Sequence, residues 1–406
     1  MELDALDRLA ASAFDGFLVR KDLVRRYSRH YPVPTYVVEF LLGRYCATVN
    51  EQEIAEGLQV VERQLADRAV RAGQEELFKA RAREKGSVKL IDLVKARLDA
   101  RNDCFLAELP SLQLRDVRID DRLVHDHERM LTDGFYAEVL LSYDAAIAQE
   151  QSGRPFAIDS LRAIQLSKSD VLSVLANGRA QFATEEWKSF LIRSIGLEPA
   201  SLSERAKLVV LLRMIPFVER NYNLVELGPR GTGKSHLYQQ ISPNSHLISG
   251  GKATVAKMFV NNANGQRGLV CHYDVVCFDE VAGISFDQKD GVNIMKGYMA
   301  AGEFSRGKES IRASGSIVIV GNLDVDVEQQ QRISHLLAPL PPEMRYDTAF
   351  MDRLHSYVPG WDFPKVNPHE HLTGHFGLVS DFLSECWTKL REASRVSVLQ
   401  GRVTWG

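Results

Sequence analysis

Apolar residues recur at every third or fourth position through the first hundred residues, over 4–14, 21–29, 35–45 and a long stretch from 52 to about 101. That period belongs to helices with one buried stripe, so residues 1–102 are expected to form a helical amino-terminal domain. From about 104 to 167 the period shortens to two. Residues 112–119 alternate, 136–143 are strand-like, and 155–158 with 163–166 add short strands between turn residues, which predicts a small β domain over 103–168. Helical spacing returns over 169–178, 184–195 and 201–220, giving a linker at 169–200 and the entry to a larger domain. Ser201, with Glu204 three residues later, has the pattern of a capping box at that entry.

Three apolar runs then break the helical period: Leu224-Val225-Glu226-Leu227, Val275-Val276-Cys277-Phe278, and Ile317-Val318-Ile319-Val320. Short continuous runs of this kind fit strands buried on both faces of a parallel sheet. The polar residues that follow each run carry the chemistry. After the first comes Gly228-Pro229-Arg230-Gly231-Thr232-Gly233-Lys234-Ser235, which fits the phosphate-loop pattern G-x-x-x-x-G-K-[ST]. Its glycines let the backbone curl so that amides point at phosphate oxygens. Lys234 would reach the β- and γ-phosphates, Ser235 would ligate Mg²⁺, and the helix starting there, through His236, would present its positive end to the anion. The second run ends in Asp279 and Glu280, placed to hold Mg²⁺ and to polarise an attacking water. The third ends in Gly321 and Asn322, an amide that would face the γ-phosphate; alone it reads sooner as a helix or turn cap. The expected fold is an α/β phosphate-loop core over 201–366 with a helical lid over 367–406, and the expected cofactors are ATP and Mg²⁺.

Bulk composition adds limits. Of 406 residues, 45% are hydrophobic and 25% charged, an ordinary globular balance. Neither a long apolar span nor a basic-then-apolar leader is present, so a cytoplasmic location without membrane contact is expected. The five cysteines show no C-x-x-C pair, which argues against structural zinc. His369, His371 and His375 have a ligand-like spacing but lack further ligands nearby in sequence. A net charge of −3 does not announce a nucleic-acid binder, so local clusters must carry any such reading. Arg25, Arg26 and Arg29 lie on a short basic helix followed by Pro32 and Pro34, which fits either a helix-turn-helix or a solvated bundle face. Arg306, Lys308 and Arg312 lie on a segment that alternates like a hairpin before the third apolar run.

The motif order, from the phosphate loop through Phe278–Gly283, Gly302–Lys308, Val320-Gly321-Asn322 and Phe350–His355, resembles the Lon-related BrxL family of bacterial bacteriophage-exclusion (BREX) systems. The resemblance runs through the whole chain and is strongest over 200–360. It implies an AAA+ ATPase core similar to those of Lon and the minichromosome-maintenance helicases, in a homo-oligomeric ring, a hexamer or stacked rings. It also implies duplex DNA and other phage-defence proteins as partners. Arg353 in the D-R motif becomes the arginine finger, Asn322 the polar sensor, Arg391 or Arg395 a second sensor, and the 302–312 hairpin a pore element contacting DNA. Family members carry a carboxy-terminal Lon-like protease domain, whereas this sequence ends at Gly406 as though interrupted. Lys234 and Ser235 belong to the phosphate loop, so peptidase activity is not expected. A Lon- or Clp-like protein remodeller and a nucleotide-controlled assembly switch remain alternatives. Lys252, Lys257, Met258, Phe259 and Arg267 give the candidate pore loop a mixed, basic-leaning character.

Overall fold

The computed structural model describes residues 2–131, 134–150, 153–164, 170–249, 252–253, 255–260, 267–280, 285–286, 290–306, 309–393 and 395. They divide into two compact units, residues 15–167 and residues 1–14 with 168–406.

In residues 15–167, helices Lys21–Ser28, Thr35–Tyr45, Glu51–Arg68 and Glu75–Lys85 come first. Helix Glu51–Arg68 buries Ile54, Gly57, Val61 and Leu65 on one stripe, and Asn50 caps it by accepting the Gln52 amide at 2.9 Å. Gly57 is required by the neighbouring helix, because a Cβ there would lie 2.1 Å from the Tyr45 carbonyl oxygen. A buried ion pair, Lys21 to Glu39 at 3.0 Å, ties Lys21–Ser28 to Thr35–Tyr45.

The helix expected to run to about residue 101 stops early. Gly86, at φ +79°, ends Glu75–Lys85, and the chain continues as a strand, β1 (Ser87–Asp99). Leu90, Asp92, Val94 and Ala96 alternate inward; Asp92 disguises this period of two because it is the one carboxylate in the set. With β2 (Cys104–Leu109), β3 (Leu114–Ile119), β4 (Phe135–Tyr143) and β5 (Phe156–Ala163), this strand closes a barrel in the order β1-β2-β3-β5-β4. Only β3 and β5 pair in parallel, and helix Asp121–Asp126 lies between β3 and β4, the arrangement of an OB-fold. The expected boundary at 102/103 therefore cuts the barrel after its longest strand. The two strands expected around 155–166 are one, β5; Gln165 and Leu166 lie outside the described residues.

In the second unit, β6 (Leu224–Gly228), β7 (Ser245–Ser249), β8 (Val275–Asp279), β9 (Ser316–Asn322) and β10 (Ser356–Pro359) form a parallel sheet ordered β10-β6-β9-β8-β7. The apolar runs are buried along their lengths because helices and loops cover both faces. Helix Glu204–Val218 leads into β6 and is capped by Ser203, whose hydroxyl accepts the Ala206 amide at 3.1 Å. The expected cap, Ser201, lies instead in a 3₁₀ turn, Pro199–Ser201. Among the described residues the expected lid is one helix, Ser380–Leu390, after a strand, Phe376–Leu378. This helix braces the amino-terminal edge of the sheet: Trp387 meets Phe217 at 4.9 Å and the Thr388 hydroxyl accepts the Asn244 side-chain amide at 2.8 Å.

Candidate nucleotide site

Three neighbouring strands deliver polar residues to one edge of the sheet. β6 ends at Gly228 and opens into the loop; β9, beside it, ends at Asn322, opposite Gly228 in register; β8, beside β9, ends at Asp279. The carboxyl ends of adjacent parallel strands are where α/β sheets leave a ligand crevice.

Gly231 and Gly233 hold φ +81° and +74°, conformations that a side chain would strain, and they turn the chain into helix Lys234–Gln240. The buried Lys234 ammonium donates to the carbonyls of Pro229 at 2.7 Å and Gly228 at 3.3 Å, and to Asn322 Oδ1 at 3.4 Å. Burial holds its pKa below the usual lysine range, with the nearby Glu226 carboxylate opposing the shift and the Arg213 guanidinium reinforcing it. Thr232 is buried, Pro229 and Ser235 are half-buried, and Arg230 and His236 are exposed. The Ser235 hydroxyl and Asp279 carboxylate are hard oxygen donors at the mouth of this crevice, a set suited to Mg²⁺. Glu280 donates its amide to Asp279 Oδ1 at 2.9 Å and adopts φ +54°. A non-glycine residue held there costs about 1–3 kcal/mol, and such strain clusters at functional sites.

Sequence reasoning missed what lies beneath the loop. Arg213, on helix Glu204–Val218, donates to both oxygens of Glu226 at 2.9 and 2.5 Å and to the Thr232 carbonyl at 3.1 Å. The signal was present in Glu226, a lone carboxylate inside an apolar run, which needs a buried partner.

Arg353 is placed at the other end of the sheet. Its carbonyl accepts from Asn223, just before β6, while its guanidinium donates to the carbonyls of Lys296, at 3.0 Å, and Ala349. The five residues of β6 separate it from its own phosphate loop by roughly 16 Å. Asp362, nine residues on in sequence, pairs with Arg205 at 2.7 Å. The second-sensor candidates are also at the far edge. Buried Arg391 donates to the carbonyls of Pro216 at 2.5 Å, Glu219 at 2.7 Å and Ser314 at 2.5 Å, and Arg395 pairs with Glu219 at 2.6 Å. Both arginines are staples rather than nucleotide ligands, because every one of these partners precedes the amino-terminal end of a sheet strand.

The three histidines do not converge. His371 Nδ1 accepts the Asn367 amide at 2.8 Å, while His375 Nδ1 lies 2.7 Å from Asp7. Asp4, Asp7 and His375 come together, but Arg193 occupies the carboxylates at 2.6 and 3.5 Å, making an ion-pair network.

Glu303–Arg306 and Glu309–Arg312 do form an antiparallel hairpin, anchored by buried Phe304 and Ile311. Arg312 is 88% exposed and lies 3.4 Å from Glu303; Arg306 ends the first strand and Lys308 lies outside the described residues. In the other unit, Arg26 and Arg29 are exposed and Arg25 is half-buried, with Arg26 3.8 Å from Glu62. Met258 and Phe259 are core residues, not exposed loop residues. Among the described residues no helix is long and apolar enough to cross a membrane.

Two family models match this chain: "Lon-like protease BrxL-like, ATPase domain" over residues 156–406 and "BREX system Lon protease-like protein BrxL N-terminal" over residues 12–143. The chain is 46% identical over 389 residues to the Lon-like protease BrxL of Escherichia coli O9:H4 (strain HS), covering 96% of this chain and 55% of that protein. It is 44% identical over 382 residues to the Lon-like protease BrxL of Bacillus cereus (strain H3081.97), covering 94% and 56%. The chain thus spans about half the length of these curated relatives.

Proposed function

This chain belongs to the BrxL family of Lon-like BREX proteins, and from that membership we propose that it is an ATP-hydrolysing AAA+ protein that encircles or translocates on duplex DNA in bacteriophage defence. The observation that carries the reading is the meeting of Lys234, Asn322, Asp279 and Glu280 at the ends of three adjacent strands. Numbered by appearance, the sheet runs 5-1-4-3-2, an order that supports this reading.

In this reading residues 228–236 bind the triphosphate, with Lys234 neutralising its β/γ oxygens. Ser235 and Asp279 hold Mg²⁺, which withdraws charge from the phosphates when bound. Glu280 accepts a proton from the attacking water, while Asn322 orients it. Arg353, remote from its own loop, serves a neighbouring subunit's site, which calls for a cytoplasmic homo-oligomeric ring, hexameric or stacked. Arg306, Lys308 and Arg312 on the hairpin face DNA phosphates, with Arg25, Arg26 and Arg29 as a second basic surface. Other phage-defence proteins would act on the same DNA.

A Lon- or Clp-like remodeller is disfavoured because Met258 and Phe259, its candidate gripping pair, are buried at 0% and 1%. Lys234 and Ser235 are committed to the phosphate loop, so no peptidase activity is proposed for them. ATP turnover measured with and without duplex DNA tests the proposal. Stimulation by DNA, abolished in Glu280→Gln, is expected; turnover indifferent to DNA would favour remodelling, and no turnover at all would leave a nucleotide-controlled switch.

A further inference from the structure

The outer face of the barrel carries a cationic cavity of about 300 Å³ within residues 15–167, unrelated to the phosphate loop. Register explains how it assembles. Glu138 lies opposite Arg162, and Lys89 lies opposite Leu140, two residues along β4 from Glu138. Because strand side chains alternate, all four stand on one face, while Leu90, Val139 and Leu141 point into the core. The ends of helices Thr35–Tyr45 and Glu51–Arg68 add Arg44 and Arg68 to the same space.

Four cations, with Lys89 and Arg162 exposed at the opening, thus line one cavity with a single carboxylate. Glu138 is shared between Arg68 at 2.6 Å and Arg44 at 3.8 Å. Among the described residues Lys89 and Arg162 have no carboxylate within ion-pair distance, so the cavity keeps a surplus of positive charge. Cations gathered in a concave, partly low-dielectric space repel one another and focus their field on an incoming anion. Guanidinium groups bond phosphate oxygens in a fork, and Lys89 adds a point charge. Tyr45 supplies a further contact: its hydroxyl accepts from Gln64 at 2.7 Å, which leaves its own proton to donate. The cavity exceeds what a bare phosphate ion needs and sits at the small end of ligand pockets, with the Tyr45 ring and Leu140 as apolar wall.

We propose that this cavity binds the phosphate of a nucleotide, either free or within a single nucleic-acid strand. Three positive groups on one cavity wall beyond the one Glu138 offsets suit a dianionic phosphate better than a carboxylate.

The test is calorimetric titration of the full chain, carrying Lys234→Ala to silence the phosphate loop, with dAMP, inorganic phosphate and an oligo-dT strand as probes. Lys89→Ala/Arg162→Ala should weaken the bound probe roughly tenfold or more, the scale of losing one charge-assisted hydrogen bond. Glu138→Gln, which removes the competing carboxylate, should tighten it, a sign that misfolding cannot mimic. In the otherwise unmodified chain, DNA-independent ATP turnover should be the same with and without Lys89→Ala/Arg162→Ala. Binding of dAMP identifies a free nucleotide as the ligand, and binding of oligo-dT alone identifies a strand. Binding of inorganic phosphate only, no binding of any probe, or binding of dAMP and oligo-dT indifferent to both variants overturns the proposal.

Discussion

Arg213 and Glu226 form a buried bidentate pair under the phosphate loop, and the third guanidinium donor holds the Thr232 carbonyl at 3.1 Å. The pair is 3% and 0% exposed, so removing one member strands a buried charge. Arg213→Ala should therefore cost about 3–5 kcal/mol of stability. Arg213→Met/Glu226→Leu should recover most of that loss, since apolar replacements of buried pairs are often neutral. It leaves Thr232 unanchored, however, and ATP should bind roughly tenfold more weakly. Urea unfolding and nucleotide titration of both variants separate the two effects. Parental ATP affinity in the folded double variant would show that the pair is structural only.

Lys234 and Glu280 should separate binding from turnover. Lys234→Ala removes the charge facing the phosphates and should abolish ATP binding. Glu280→Gln keeps the loop intact and should bind ATP normally while hydrolysing at least about a hundredfold more slowly, the scale of general-base loss. Parallel fluorescence binding and phosphate-release assays read this, and parental turnover in Glu280→Gln would remove Glu280 from catalysis.

The candidate nucleotide site was legible in sequence because its residues follow local rules: apolar strands ending in glycine, aspartate or asparagine, with a lysine after the glycine-rich loop. What sequence did not show depends on distant partners. β1 read as helix because Asp92 occupies an inward position, where bonds from Ser111 and the Leu93 amide make a carboxylate tolerable. Arg391 and Arg395 resembled second-sensor candidates by their place in the chain, yet their carbonyl and carboxylate partners lie at the sheet edge remote from the loop. Arg213 escaped notice because a lone arginine on an apolar helix has no local pattern.

Arg353 should act on a neighbouring subunit, since its backbone is tethered at the opposite end of β6 from Lys234. Arg353→Ala should bind ATP almost normally and lose roughly 10³-fold or more in hydrolysis, as with arginine fingers in other NTPases. Mixed with Lys234→Ala subunits, it should regain partial activity at interfaces that pair an intact loop with an intact finger. A protein that sediments as a monomer during efficient turnover would exclude this role.

Asp92 should make the barrel less stable as pH rises. Burial raises its carboxyl pKa to about 6, against the opposing bonds from Ser111 and Leu93. The folded state therefore holds a proton that the unfolded state releases near pH 4, and stability falls between about pH 4 and 6, by on the order of 2–3 kcal/mol. Asp92→Asn should flatten that window while keeping an acceptor for the Ser111 hydroxyl, now 2.7 Å from Oδ1. Hydrogen exchange of barrel peptides across pH 4–7 would detect it, and identical slopes in parent and variant would refute it.

The hairpin of strands Glu303–Arg306 and Glu309–Arg312 is the sharpest test of the DNA reading. Its buried Phe304 and Ile311 fix it to the core, so its cations can change without unfolding it. Arg312 is 88% exposed but shares its charge with Glu303 at 3.4 Å, which makes Arg306, at the end of the first strand, and Lys308, two residues on in sequence, the stronger candidates for phosphate contact. Each phosphate contact contributes about −0.9 to the slope of log K against log salt on B-form DNA. In a ring every subunit contributes, so Arg306→Ala or Lys308→Ala should flatten the slope by several units and weaken binding alike for all sequences. Arg312→Ala should do less, because Glu303 already offsets its charge. A salt titration of duplex affinity, with assembly checked by sedimentation, decides the matter. Unchanged slopes in assembled rings would take the hairpin out of the DNA path and shift the contact to the exposed Arg26 and Arg29 in the other unit.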